Sequence, residues 1–284
     1  QHLEMFTKAL CSRANENIEM ENSELNVREL DLGFNFVGDE SDTSIMTLFG
    51  VCPKLETLRL TSCGLSKQFF LRKYNEWENL FSKLNGSSII NIDISHNPNM
   101  EVIGIDKMLQ LLNPDKVLSI DISKCTLSND SKGNLGDAIF KYASRGRPDI
   151  ALQDLNMSKN SSLELEDFCN SLYHMSYLKI LNASYCDGLN LEFVVRLFEE
   201  MWTQSSNCEK VQLNSDLNLW INASAGDNLT ELLLSNIEHL ASENCLKSLQ
   251  LSYHGSDKET NNLDKLIAAW QEVFKDKSKV DVCG

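Results

Sequence analysis

The sequence predicts an α/β repeat fold, and three observations carry that prediction. A nine-residue pattern, L-x-x-L-x-L-x-x-N/C, recurs eight times along the 284 residues. Each copy is followed by a polar turn and then by apolar residues at helical spacing. Successive copies lie between 26 and 38 residues apart, counted between their fourth positions (Leu30, Leu58, Ile92, Ile120, Leu155, Leu181, Val211 and Leu249). Together these are the signature of a leucine-rich repeat. The expected architecture is a horseshoe solenoid, with parallel strands on the concave face and helices on the convex face. Strands pair at about 4.8 Å whereas helices need about 10 Å, so such a stack must curve with its strands inside. Seven strand spacings then make an inner sheet about 34 Å long.

Taken in order, residues 1–11 place Leu3, Phe6 and Leu10 on one helical face, as the helix of a truncated first repeat. The motif copies fall at 27–35, 55–63, 89–97, 117–125, 152–160, 178–186, 208–216 and 246–254. In a strand, alternate side chains share a face, so the fourth and sixth positions point inward together. The ninth position ends the strand and alternates between Asn35, Cys63, Asn97, Cys125, Asn160 and Cys186, before becoming Asp216 and His254. A buried Asn there can satisfy backbone groups that would otherwise be orphaned. Helical stretches are predicted at 45–49, 77–84, 105–112, 135–142, 168–175, 193–202, 229–240 and 263–274. Pro53, Pro114 and Pro148 stand just beyond three of them, where a helix should stop. Residues 65–76 read as an oversized loop, and 214–228 as an unusually long gap after the seventh strand. The whole chain, 1–284, reads as one domain of about eight repeats, with 255–284 as a C-terminal capping region.

Composition narrows the function classes. A chain that is 42% apolar has enough material for a stacked core. No apolar run approaches the length of a membrane span, and no membrane partner is expected. A net charge of −15 argues against a surface that binds nucleic acid directly and favours a basic partner. The nine cysteines include no C-x-x-C pair, which points to a reducing compartment without a zinc site. Asn156 and Asn182 fall mid-strand, so the scattered Asn-x-Ser/Thr triplets read as coincidence. The polar start, Gln1-His2-Leu3-Glu4, has no leader character, and the chain reads as part of a longer protein.

No catalytic pattern emerges. His2, His96, His174, His239 and His254 sit in different repeats and form no ligand pair. There is no G-x-S-x-G, P-loop or G-x-G-x-x-G, so neither enzyme chemistry nor a cofactor is expected. The informative residues are those pointing outward from the inner sheet. Fifth positions read Asp31, Arg59, Asp93, Asp121, Asn156, Asn182, Gln212 and Gln250, and third positions add Glu29, Thr57, Asn91, Ser119 and Asp154. Eighth positions bring Phe34, His96, Tyr185 and Tyr253 beside them. An acidic groove with aromatic anchors suits a basic peptide or helix. The candidate partner-binding residues are therefore Glu29, Asp31, Phe34, Arg59, Asp93, His96, Asp121, Asp154, Tyr185 and Tyr253. Asp93 and Asp121 should oppose each other on adjacent strands. Because both point away from the core, lysines there should weaken binding without unfolding the chain. The plainer reading is that these polar residues only keep the array soluble.

The alternation of Asn and Cys, with a helix in each repeat, resembles the ribonuclease-inhibitor type of leucine-rich repeat. A closer resemblance rests on the stretch from Leu30-Asp31-Leu32 through Val51-Cys52-Pro53-Lys54-Leu55 and Cys63-Gly64 to Gln68-Phe69-Phe70-Leu71. Ile139-Phe140-Lys141-Tyr142, Leu155-Asn156-Met157-Ser158-Lys159-Asn160 and Leu178-Lys179-Ile180-Leu181 extend it. These residues resemble the C-terminal repeats of Tonsoku-like proteins, with Phe69-Phe70 the most telling insertion; the resemblance covers about residues 1–205. It implies a nuclear scaffold that supports homologous recombination at stalled or broken replication forks. It also implies docking to the large helical-repeat partner named for methyl-methanesulfonate sensitivity (MMS22-like). The competing expectation is a generic cytosolic binding module, such as the ligand arm of an immune sensor or a GTPase regulator.

Overall fold

The computed structural model describes residues 2–16, 25–83, 89–126, 133–146, 149–161, 163, 165–183 and 186, with short pieces at 217–222, 246–252, 268 and 282–283. Nine strands form one parallel sheet in sequence order: β1 Glu29–Asp31, β2 Thr57–Arg59, β3 Asn91–Asp93, β4 Ser119–Asp121, β5 Asp154–Asn156, β6 Ile180–Asn182, β7 Leu217–Asn222, β8 Leu246–Ser252 and β9 Val282–Cys283. Seven described α-helices accompany the first six strands, two of them between β2 and β3: α1 His2–Glu16, α2 Asp42–Val51, α3 Gln68–Leu71, α4 Tyr74–Lys83, α5 Glu101–Leu111, α6 Leu135–Ala143 and α7 Leu165–Leu172. Pro53 and Pro114 follow α2 and α5, as expected, and Pro148 lies outside the described residues. None of the described helices is long and apolar enough to cross a membrane.

The motif's anchors make the core. Of the first positions, Leu55, Ile89, Val117, Leu152 and Leu178 are buried. So are the fourth- and sixth-position pairs Leu58/Leu60, Ile92/Ile94, Ile120/Ile122, Leu155/Met157 and Leu181/Ala183. In β2 to β6 the central residue is buried and its two neighbours are half-buried, so one face of the sheet packs on the core and the other is open. Register runs straight across, with Leu30, Leu58, Ile92, Ile120, Leu155 and Leu181 in one row.

The turn at the ninth position explains why Asn and Cys interchange there. Asn97 accepts the N–H groups of Cys63 and Leu65 on its Oδ1, each at 3.0 Å, and donates to the carbonyls of Leu60, Ile94 and Ser95. Asn160 does the same one pair of repeats later, holding Cys125, Thr126, Ile122 and Met157. The cysteines do the thiol version. Cys63, Cys125 and Cys186 donate to the sixth-position carbonyls of Leu32, Ile94 and Met157 at 3.1, 3.1 and 3.0 Å. The sulfurs of Cys63 and Cys125 in turn accept the N–H of Asn35 and Asn97. Burial pushes these two thiols up to about 11 and about 12, so they are inert as nucleophiles.

Two expectations need correction. The seventh strand is Leu217–Asn222, which puts Leu219, not Val211, in the row with Leu181 and Leu249. It lies inside the stretch read as a long gap; the 208–216 copy itself is outside the described residues. Leu217, Leu219 and Ile221 alternate as a strand should, but Asp216 and Ser224 stand at the motif's first and ninth positions. A template that demands all its anchors therefore passes over it. Nor is 65–76 simply a loop. It contains α3 and the start of α4, and Phe69 and Phe70 are buried in the core.

What fixes α3 is a buried ionic clamp. Asp42, wholly buried at the start of α2, accepts bonds from Arg72 at 2.9 and 3.2 Å and from Lys73 at 3.2 Å. Arg72 also reaches the Asp39 carbonyl and the Glu40 carboxylate. Burial alone would raise the Asp42 carboxyl, but the bonds from Arg72, Lys73 and Thr43 outweigh it and leave it below the ordinary value. A depressed folded value stabilises the fold above the unfolded value of about 3.9 and is lost as pH falls through the folded one. Asp42→Asn should therefore cost about 3 kcal/mol at neutral pH, because two cations lose a buried partner. The deficit should shrink below about pH 4. Urea unfolding at pH 7 and pH 3 measures both; equal deficits at the two values would contradict the clamp.

The open face of the sheet as candidate functional site

The open face carries the third and fifth positions of each repeat, and at its centre they converge. Ser119, Ile120, Asp121, Asp154, Asn156, Ile180 and Asn182, from β4, β5 and β6, line a depression of about 190 Å³. Asp93 and Asp121 are paired in register, as expected. Burial, reinforced by the charge of Asp93, pushes the Asp121 carboxyl above its ordinary value despite bonds from Ser123 and Asn156. Burial and then Asp121 raise Asp154 in the same way. A raised folded value reverses the sign seen at Asp42. These carboxylates weaken the fold at neutral pH, and protonation relieves them as pH falls.

The fifth-position side chains do more than face outward. Asp31, Asp93 and Asp121 each accept the backbone N–H two residues on, from Gly33, Ser95 and Ser123, at 2.8, 2.8 and 2.9 Å. Asn156 accepts from Ser158 in the same way. These are Asx turns, which lead the chain out of each strand. Asp93 further accepts the Thr61 hydroxyl, and Asp121 the Asn156 amide. A lysine at 93 or 121 would remove a turn acceptor that Asn keeps, so Asn is the substitution that changes the charge alone. Asp93→Asn should raise stability by about 0.5 kcal/mol at pH 7, since like charges opposed across strands cost roughly 0.2–1 kcal/mol. The Asp121 carboxyl should titrate lower in the variant. NMR titration with thermal unfolding checks this, and an unmoved Asp121 would refute it.

The remaining candidates fall into two groups. At the β1–β2 end, Glu29 pairs with Arg59 across the strands, and Asp31 is exposed. Phe34 and His96 lie at the turns that follow β1 and β3 and are exposed. They are not among the residues lining the central depression. Tyr185 and Tyr253 fall outside the described residues. In the corrected seventh repeat, Trp220 takes the fifth-position register that Gln212 was expected to hold. Ile180 is the apolar member that the polar pattern missed; its place beside Leu181 in the motif was the available signal.

One further feature was not anticipated. Phe34, Ser62, His96, Lys124 and Lys159, the eighth positions of five successive repeats, all have left-handed backbones with φ between 53 and 59°. The N–H groups of the first four donate to the seventh-position carbonyl of the next repeat. That bond holds each turn in a conformation that residues with a Cβ rarely adopt. Among the described residues, no group of His, Cys, Asp and Glu could hold a metal ion.

The fold and this face define a stacked α/β repeat protein with a polar, carboxylate-bearing sheet surface. No family model matches the chain. It is similar to a Tonsoku-like protein from Mus musculus, 29% identical over 135 residues, which is 48% of this chain and 10% of that protein. The match thus spans about a tenth of the relative's length.

Proposed function

We propose that this chain is a leucine-rich-repeat horseshoe acting as a non-catalytic docking module of a nuclear repair scaffold. In this reading it serves homologous recombination at stalled or broken replication forks. The observation that carries the reading is the similarity to the mouse Tonsoku-like protein over 135 residues. The open face supports it. Half-buried Asp121 and Asp154, with Asn156 and Asn182 around a depression, suit a lysine or arginine from a basic peptide or helix. The large helical-repeat partner of Tonsoku-like proteins is the binder we assign to this face.

Affinity purification from nuclear extract, with partners identified by mass spectrometry, tests the proposal. The comparison is wild type against Asp93→Asn with Asp154→Asn, a pair that keeps the Asp93 turn acceptor while removing two charges. The expected result is recovery of the helical-repeat repair partner by wild type and reduced recovery by the variant. Recovery of a GTPase or an innate-immune factor in its place would overturn the assignment. Undiminished recovery by the variant would move the contact off the open face.

A further inference from the structure

We infer that the turn edge after β1 is a second contact surface, built by Phe34 and Phe36 to seat a segment that combines an apolar side chain with arginine or lysine. Phe34 is 83% exposed and Phe36 is 94% exposed. Phe34 also adopts φ 59°, so the chain holds a large aromatic ring in solvent on a backbone that Gly or Asn would occupy with less strain. Its exposure is not an effect of lying in the first described strand. Ser62, His96 and Lys159 stand at the same position with repeats on both sides, and they too are exposed. Lys124, at the same position of the fourth repeat, is half-buried, so four of these five positions display their side chain, and here the side chain is phenylalanine.

Phe36 completes the surface. A Cβ on Gly64 would come within 3.0 Å of a Phe36 ring carbon, so one part of the ring lies over bare backbone of the next repeat and the rest faces outward. Two large exposed rings two residues apart in one turn offer apolar surface of the kind that marks interaction sites. Charge selects the occupant. Asp31 is an exposed carboxylate three residues before Phe34, and the chain carries −15 overall. A second copy of this chain would bring like charges together. A cation is drawn to the Asp31 carboxylate and can lie over a phenyl ring, while its apolar neighbour covers the exposed phenylalanine.

The test uses the intact chain and three short labelled peptides in fluorescence polarisation: alternating Leu-Arg, Ser-Arg and Leu-Glu. Wild type should bind the Leu-Arg peptide more tightly than either of the others. Phe34→Asn with Phe36→Ser should weaken that binding by about tenfold or more. Its melting temperature should be equal or higher, because Asn tolerates the left-handed backbone. Unchanged Leu-Arg binding by the variant would overturn the inference, as would Ser-Arg binding as tight as Leu-Arg. Loss of folding in the variant would show that the rings are structural. Self-association of wild type that the variant abolishes would make a second copy the occupant, against the inference. Asp154→Asn should leave the Phe-dependent binding intact, so failure of this surface and failure of the open-face reading are told apart.

Discussion

Asn97→Ala is expected to destabilise the chain by about 4 kcal/mol, more than most single core truncations. Asn97 is fully buried, and its amide is the shared partner of two N–H groups and three carbonyls from two successive repeats. Alanine would leave these without that partner, and a buried polar group without one costs about 1–3 kcal/mol. Relaxation of the turn and entry of water hold the total below the simple sum. The companion substitution is the informative one. Asn97→Cys supplies the one donor and one acceptor that Cys63 and Cys125 use, but it cannot meet both N–H groups that Asn97 holds. It should fall between Asn and Ala, at about 2 kcal/mol. Urea unfolding of the three proteins gives the ranking; a cysteine as damaging as alanine would show that the two residue types are not equivalent at this turn.

The ranking also bears on what could be read from sequence. The row of Leu58, Ile92, Ile120, Leu155 and Leu181 was legible because period-two burial allows only one register. The alternating Asn and Cys were legible as buried turn residues, and both types prove to hold the preceding repeat's sixth-position carbonyl. The seventh strand was not legible as placed, because Asp216 and Ser224 do not fill the motif's outer positions although Leu217, Leu219 and Ile221 alternate correctly. The carboxylates of the open face were legible as a column, but their work in the turns was not. That role depends on a bond to the N–H two residues on, which an Asp forms or leaves unformed according to backbone geometry. The Asp or Asn at five of the first six fifth positions was the available signal for an Asx turn. The left-handed eighth positions left no compositional trace at all. Phe, Ser, His and Lys occupy them where Gly or Asn would have announced the turn, because the inter-repeat bond, not the side chain, enforces the conformation.

The insertion at Phe69-Phe70 was the other misreading, and it yields the second large effect. Phe69→Ala is expected to destabilise by about 4 kcal/mol, within the range for deleting a buried aromatic ring. The ring is fully buried, 5.0 Å from Phe70 and 5.6 Å from Trp77 between centroids. Trp77 is itself surrounded by Phe49, Phe70 and Phe81 at 5.8 to 6.1 Å and donates its indole N–H to the Phe69 carbonyl at 3.1 Å. The inserted α3 thus closes one aromatic cluster between α2 and α4, and the Asp42–Arg72 clamp holds it there. A docking loop would behave in the opposite way: its truncation would spare stability and weaken partner binding. Thermal unfolding separates the alternatives, since a change below about 1 kcal/mol, the typical effect of a point substitution, would return the insertion to the surface. Phe69→Leu should recover part of the loss, because it refills much of the cavity without restoring the aromatic contacts with Phe70 and Trp77.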